Sequence, residues 1–142
     1  MSKLVFSNGV FDLLHPGHFN LLLQCRQLAG KNGRVVIGLD SDEKVSFDKG
    51  LERPILSFDY RKQALLDLET CWPGVSLIDE VFAFSSNKEL YSIIQSLNPD
   101  YLVKGLDWKD RVIGSDIAEI RYCPLNPRYS TTNLLDQVRL KL

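Results

Sequence analysis

Long apolar runs, an excess of one charge and regular cysteine spacing are all missing from this sequence. No stretch approaches the ~20 apolar residues that a membrane-spanning helix needs. The N-terminal residues turn polar at Asn8-Gly9, too soon for a secretory leader. Basic and acidic side chains number 17 and 18, a net charge of −1. That balance gives no electrostatic reason to expect a nucleic-acid or membrane partner. The three cysteines, Cys25, Cys71 and Cys123, are odd in number and far apart. They fit reduced thiols in the cytoplasm better than a disulfide framework or a zinc site. Repeats, low-complexity tracts and linkers are absent too. The 142 residues therefore read as a single domain, 1–142, with one core.

Histidine is also scarce. The chain has two, and both stand in Asn8-Gly-Val-Phe-Asp-Leu-Leu-His-Pro-Gly-His18. An apolar strand candidate, Lys3–Ser7, precedes this segment, and a helix candidate, Gly17–Ala29, follows it. Pro16 suits a first helical turn, where a missing N–H costs nothing. Gly17 permits a ligand to approach the backbone. First-turn amides and the helix dipole favour an anion. Imidazoles at i and i+3 share one helix face. The segment therefore reads as a phosphate site at a strand-to-helix turn.

Further strand candidates are Arg34–Leu39, Glu80–Phe84, Tyr101–Lys104 and Ile120–Leu125. Their near-continuous apolar character suggests parallel strands covered on both faces. Helix candidates alternate with them: Phe58–Glu69 with Ser57 as N-cap, Lys88–Leu97 with a Ser86-x-x-Glu89 capping box, and Thr131–Leu140. The expected fold is α/β, a Rossmann-like doubly wound parallel sheet of about five strands with helices on both faces. In such a sheet, ligands bind beyond the carboxyl ends of the strands. Four segments then meet on one rim: Asn8–His18, Asp40–Asp42, Lys104–Trp108 and Tyr129–Thr132. The stretch 42–54 between the second strand and Pro54 reads as a charged loop, long enough to serve as a lid.

His15-Pro16-Gly17-His18 resembles the His-x-Gly-His signature of the cytidylyltransferase-like nucleotidyltransferases. The fuller Asn-Gly-x-Phe-Asp-x-Leu-His-x-Gly-His form is most similar to their heptose 1-phosphate adenylyltransferase branch. Tyr129-Ser-Thr-Thr132 resembles the family's Ser-Thr-Thr at the start of the last helix. Pro99-Asp-Tyr-Leu-Val-Lys-Gly-Leu-Asp107 resembles the Pro-Asp-x-Leu-Val-Lys-Gly-Gly-Asp of the heptose branch, with Leu106 in place of its second glycine. Lys49-Gly50 followed by Arg53-Pro54 is like that branch as well, and Arg61 matches the family's arginine at the start of the next helix. Asn126-Pro127-Arg128-Tyr129 departs from the Arg-Thr-x-Gly-Ile that precedes the triplet in glycerol-phosphate cytidylyltransferases.

The resemblance implies an enzyme that joins a nucleoside triphosphate to a phosphorylated small-molecule acceptor and releases pyrophosphate. His15, His18, Lys49 and Arg61 are its expected catalytic residues. Asn8, Gly9, Val10, Phe11, Gly17, Lys104, Asp107, Arg128, Tyr129, Ser130, Thr131 and Thr132 are expected at the nucleotide. Asp12, Asp40 and Arg53 are expected at the acceptor. No protein-held metal is expected; Mg2+ would travel with the nucleotide phosphates. ATP with a sugar phosphate such as heptose 1-phosphate is the leading pair, and CTP with glycerol 3-phosphate is its rival. A homodimer in the cytoplasm, working in carbohydrate metabolism, is expected. Two readings of other classes stand beside this one: a non-catalytic nucleotide-binding module, which needs no histidine pair, and a fragment related to class I aminoacyl-tRNA synthetases. The latter is disfavoured by the short, non-basic chain.

Overall fold

A computed structural model of the chain describes residues 2–70, 72–105 and 112–123. Among the described residues, five strands and four helices follow in the order β1 (Leu4–Gly9), α1 (Pro16–Ala29), β2 (Arg34–Asp40), α2 (Asp42–Lys49), α3 (Phe58–Leu66), β3 (Glu80–Phe84), α4 (Asn87–Leu97), β4 (Tyr101–Gly105) and β5 (Glu119–Cys123). The strands form one sheet in the order β3-β2-β1-β4-β5, and every pairing is parallel. The expected α/β fold is therefore present. The expected last helix, Thr131–Leu140, lies outside the described residues.

Strand alternation sorts the core into two layers. Val5, Val35, Ile37 and Val103 pack with Leu22, Cys25 and Ala29 of α1 and Leu65 of α3. Their neighbours Phe6, Val36 and Leu102 face the other way, against Leu90 and Ile94 of α4. Both faces are thus covered, which is why these strands read as almost unbroken apolar runs. None of the helices among the described residues is long and apolar enough to cross a membrane.

The segment after β2 corrects the sequence reading. Asp42–Lys49 is a helix, not part of a long loop. Ser41 caps it by accepting from the Lys44 amide at 3.2 Å. Asp42 and Glu43 in the first turn and Lys49 in the last complement its dipole. Val45 is its one buried residue, so an apolar stripe was not there to be read. Smaller differences concern ends. β1 runs two residues further, through Asn8 and Gly9, and α3 stops at Leu66. Ser57 stands at the N-cap of α3 without a side-chain cap bond, whereas Ser86 accepts from the Glu89 amide at 3.1 Å.

The chain passes from β1 outward to β2 and β3, then returns to β4 on the other side of β1. The switch point lies between β1 and β4. There the ladder stops early: β1 pairs with β4 only at Val5–Tyr101 and Phe6–Leu102, but with β2 all the way to Gly9–Leu39. Side chains bridge the widening gap. Ser7 Oγ donates to the Val103 carbonyl at 2.6 Å, and Lys104 Nζ donates to Asn8 O at 3.1 Å.

The opposite end of the sheet is sealed. Arg26, buried in the last turn of α1, donates to the carbonyls of Gly33 and Leu77 and to Asp79, at 3.0, 3.2 and 2.7 Å. Gly33 sits in this junction with no room for a side chain. A Cβ there would lie 2.0 Å from the Ala29 carbonyl oxygen and 2.5 Å from that of Lys3. Gly33→Ala is expected to cost about 3 kcal/mol by overpacking. Gly74→Ala, in open space at φ +74, should cost only the left-handed strain of about 1–2 kcal/mol. Urea unfolding of both variants checks the difference; equal losses would refute the packing argument.

Candidate active site

The turn after β1 carries the site. Phe11 adopts φ +48, a left-handed conformation that costs a non-glycine residue energy. Packing holds it there. Its ring is buried, stands 5.3 Å from the His18 ring, and lies where a Cβ on Gly9 would come within 3.1 Å. A side chain at Gly9 would therefore push on the ring that supports His18.

His15 is the N-cap of α1, Pro16 its first residue and His18 its third. The two histidines form a reciprocal capping box. His15 Nδ1 accepts from the Gly17 amide at 3.1 Å, and His18 Nδ1 accepts from the His15 amide at 3.2 Å. Their ring centroids are 3.9 Å apart with planes inclined at 33°. An Nδ1 that accepts from an amide carries no proton, so each neutral ring bears its N–H on Nε2. The amides expected to bind an anion are thus partly engaged by the imidazoles, which offer an N–H of their own instead.

Burial favours those neutral rings. It lowers the pKa of His15. It brings His18 to about 4, helped by the neighbouring His15 and opposed by the charge on Asp12. Among the described residues, no three of His, Cys, Asp and Glu are grouped to hold a metal ion.

The expected site residues divide by depth. Asn8, Gly9, Val10, Phe11, Gly17 and Lys104 border the turn or the β1–β4 gap. Lys104 Nζ reaches both Asn8 O and Asn8 Oδ1, at 3.1 and 3.3 Å. Lys49 is exposed at the end of α2. Asp107, Arg128, Tyr129, Ser130, Thr131 and Thr132 lie outside the described residues.

Three residues expected at substrate face inward instead. The Asp12 carboxylate has no exposed surface. It accepts from the amides of Ile55 and Leu56 at 2.7 and 2.8 Å and lies 3.6 Å from Arg53 Nε. Arg53 is thereby turned toward Asp12. Asp40 is buried and accepts from Lys44 Nζ at 3.1 Å.

Arg61, expected to grip phosphate, is also fully buried. Its guanidinium donates to Val10 O, Asp40 O and Leu56 O at 2.9, 2.9 and 3.0 Å, and to Asp42 Oδ1 at 2.6 Å. It lies under the rim, not on it. The carbonyls that gather around it belong to three separate segments. Lys44 was not singled out from the sequence. It bridges Asp40 and Asp48, and the i−4, i+4 spacing of those carboxylates was the available sign.

Comparison with known proteins identifies the family. The family model described as cytidylyltransferase-like matches residues 6–131. A bifunctional protein HldE of Campylobacter concisus is 38% identical over 139 residues, covering 96% of this chain and 27% of that protein. One from Pseudomonas aeruginosa is 34% identical, covering 98% of this chain and 28% of its own length. The chain thus spans little more than a quarter of these relatives. Among solved structures, a lipopolysaccharide core biosynthesis protein from Thermoplasma volcanium superposes with a TM-score of 0.64 at 16% identity, covering 87% of this chain and 98% of that one. A protein from Archaeoglobus fulgidus superposes at 0.65 and 19% identity, covering 92% and 94%. These two likenesses concern the fold. The chain belongs to the cytidylyltransferase-like family, and that membership marks it as a nucleotidyltransferase domain.

The His18 environment has a consequence in solution. Its ring should titrate near pH 4 instead of 6.5. Between those values the unfolded chain binds a proton that the folded one does not. This ring therefore makes folding less favourable as pH falls through that window, and has no such effect above it. Histidine NMR over pH 3–8 checks the assignment; a His18 midpoint near 6.5 would contradict it.

Proposed function

We propose that this member of the family transfers a nucleotidyl group from the magnesium complex of ATP to the phosphate of a heptose 1-phosphate-type sugar. An oxygen of the acceptor phosphate attacks the α-phosphorus in line. The bond from that phosphorus to the bridging oxygen breaks, and pyrophosphate leaves. The magnesium ion arrives as part of the substrate, carried on the phosphates.

The observation that carries this reading is the paired imidazoles with Nδ1 engaged by the helix amides. Both rings are oriented by the backbone before substrate arrives, and each bears its proton on Nε2. Charge that grows on the phosphate oxygens then meets donors already in place, which is where such catalysis gains most. Asn8 and Lys104, at the gap between β1 and β4, are suited to the nucleotide, as are Ser130, Thr131 and Thr132 at the start of the last expected helix. Lys49 is free of the core and suited to the triphosphate tail.

The donor and acceptor rest on Asn8-Gly9, Lys49-Gly50, Arg53-Pro54 and Val103-Lys104-Gly105, and on relatives that carry the name bifunctional protein HldE. In those relatives the matched part is about 28% of the length. We place the working enzyme in the cytoplasm as a homodimer.

His15→Ala and His18→Ala should each lower kcat by about 100- to 1,000-fold, with smaller effects on nucleotide affinity. Pyrophosphate release and nucleotide titration measure the two quantities. Near-normal turnover in both variants would defeat the proposed chemistry. ATP with heptose 1-phosphate should exceed CTP with glycerol 3-phosphate in kcat/KM, because a pocket that bonds many hydroxyls is left unpaired by a small polyol. A clear preference for glycerol 3-phosphate would replace the acceptor and leave the reaction class standing.

A further inference from the structure

Residues 53–56 run between α2 and α3 as a short strap across the turn that carries the histidines. Such a connector would ordinarily be held by solvent and a few side chains. Here it is held from both sides. On one side the Asp12 carboxylate takes the amides of Ile55 and Leu56 at 2.7 and 2.8 Å. On the other, Arg61 Nε donates to the Leu56 carbonyl at 3.0 Å, and Arg61 Nη1 donates to the Val10 carbonyl at 2.9 Å. Val10 lies two residues before Asp12. The contacts therefore close a ring: Asp12 to Leu56, Leu56 to Arg61, Arg61 to Val10, and the backbone from Val10 back to Asp12.

The same guanidinium takes the carbonyl of Asp40 at the end of β2 and the carboxylate of Asp42 at the start of α2. Both charged groups are removed from water, the Asp12 and Arg61 side chains having 0% exposure each. Ionised groups at that depth are retained only with strong, convergent partners. Phe11 is the residue of that ring between Val10 and Asp12, strained at φ +48 and with its side chain tilted against the His18 ring. His15 follows Asp12 by three residues.

We propose that Asp12 and Arg61 are positioning residues that bolt the 53–56 strap to the β1 turn and thereby set the orientation of the His15 and His18 rings, without contacting substrate. This rests on the nucleotidyl-transfer reading for its kinetic consequence, but not for its structural one. Asp12 spends its hydrogen bonds on the strap's amides, and Arg61 on three carbonyls and the Asp42 carboxylate. An acceptor-binding carboxylate would need to reach the rim, and Asp12 does not. The charge of Asp12 also acts on His18, holding its proton affinity up against the effect of burial. Loss of that charge is felt at the imidazole as well as at the strap.

Two measurements separate this role from substrate contact and from bulk stability. Hydrogen exchange on the full chain, with no ligand, reads the strap directly. The Ile55 and Leu56 amides should be protected, unlike that of the exposed Leu51 in the same connector. In Asp12→Asn, where one acceptor becomes a donor, exchange at Ile55 or Leu56 should quicken at least about tenfold while Val35 and Ile37 stay protected. His18 should titrate lower still in that variant. Kinetics with ATP and heptose 1-phosphate should show kcat down about a hundredfold with both KM values within about threefold, the pattern of misplaced catalytic groups.

Arg61→Lys should share this pattern, because an ammonium cannot span four acceptors in separate segments. Unprotected Ile55 and Leu56 amides in the wild-type protein would overturn the proposal, and that measurement stands even if the variants fail to fold. A tenfold rise in acceptor KM with kcat intact in Asp12→Asn would make Asp12 a substrate ligand instead. If the wild-type protein released no pyrophosphate from this pair, the functional reading would fall while exchange and the His18 titration still decided the positioning role.

Discussion

A helix that starts at the end of a buried parallel strand points unsatisfied amides at the rim of its sheet. In this protein two amides of that turn are taken by the imidazoles of His15 and His18. The exchange does three things together. It satisfies backbone donors that would otherwise need water or an anion. It locks both rings at Nδ1. It moves the donor function outward to Nε2, one ring's width beyond the backbone. Everything else near the site serves this arrangement: Gly9 makes room for the Phe11 ring, Phe11 supports His18, and the strap fixes the turn from outside.

Buried arginines organise the two ends of the sheet in different ways. Arg26 seals the junction below α1 with backbone carbonyls and Asp79. Arg61 gathers β1, β2, α2 and the strap at the opposite end, where the strands open toward the rim. A guanidinium suits both places because its planar fork binds several carbonyls at once. The gap between β1 and β4 is left for polar side chains, Ser7 and Lys104, to bridge. The opening between those strands therefore follows from the early end of their ladder.

Much of this was legible in particular residues. Apolar runs at Arg34–Leu39 and Glu80–Phe84 gave strands because a doubly covered parallel strand is apolar at successive positions. Pro16 and Gly17 marked a helix start because their backbone preferences are local. The helix over Asp42–Lys49 was not legible, since its stability comes from a cap, charges and one buried valine. The burial of Asp12, Asp40 and Arg61 was not legible for a related reason. The resemblance implied substrate roles, but a charged side chain can serve either a ligand or distant backbone groups, and sequence spacing does not say which.

The sequence by itself determined the alternation of strands and helices, the strand-to-helix turn with its histidine pair, and the family. Each of these rests on neighbours within a few residues, where covalent geometry and local propensity decide. Only the tertiary structure decided which charges face solvent, where β1 parts from β4, and which side chains hold the strap. Those outcomes depend in part on hydrogen bonds between residues far apart in the chain, 43 positions for Asp12 with Ile55 and 96 for Lys104 with Asn8. Folding brings such groups together in a medium where an unpaired charge is costly. Their partners are therefore set by the packing of the whole sheet.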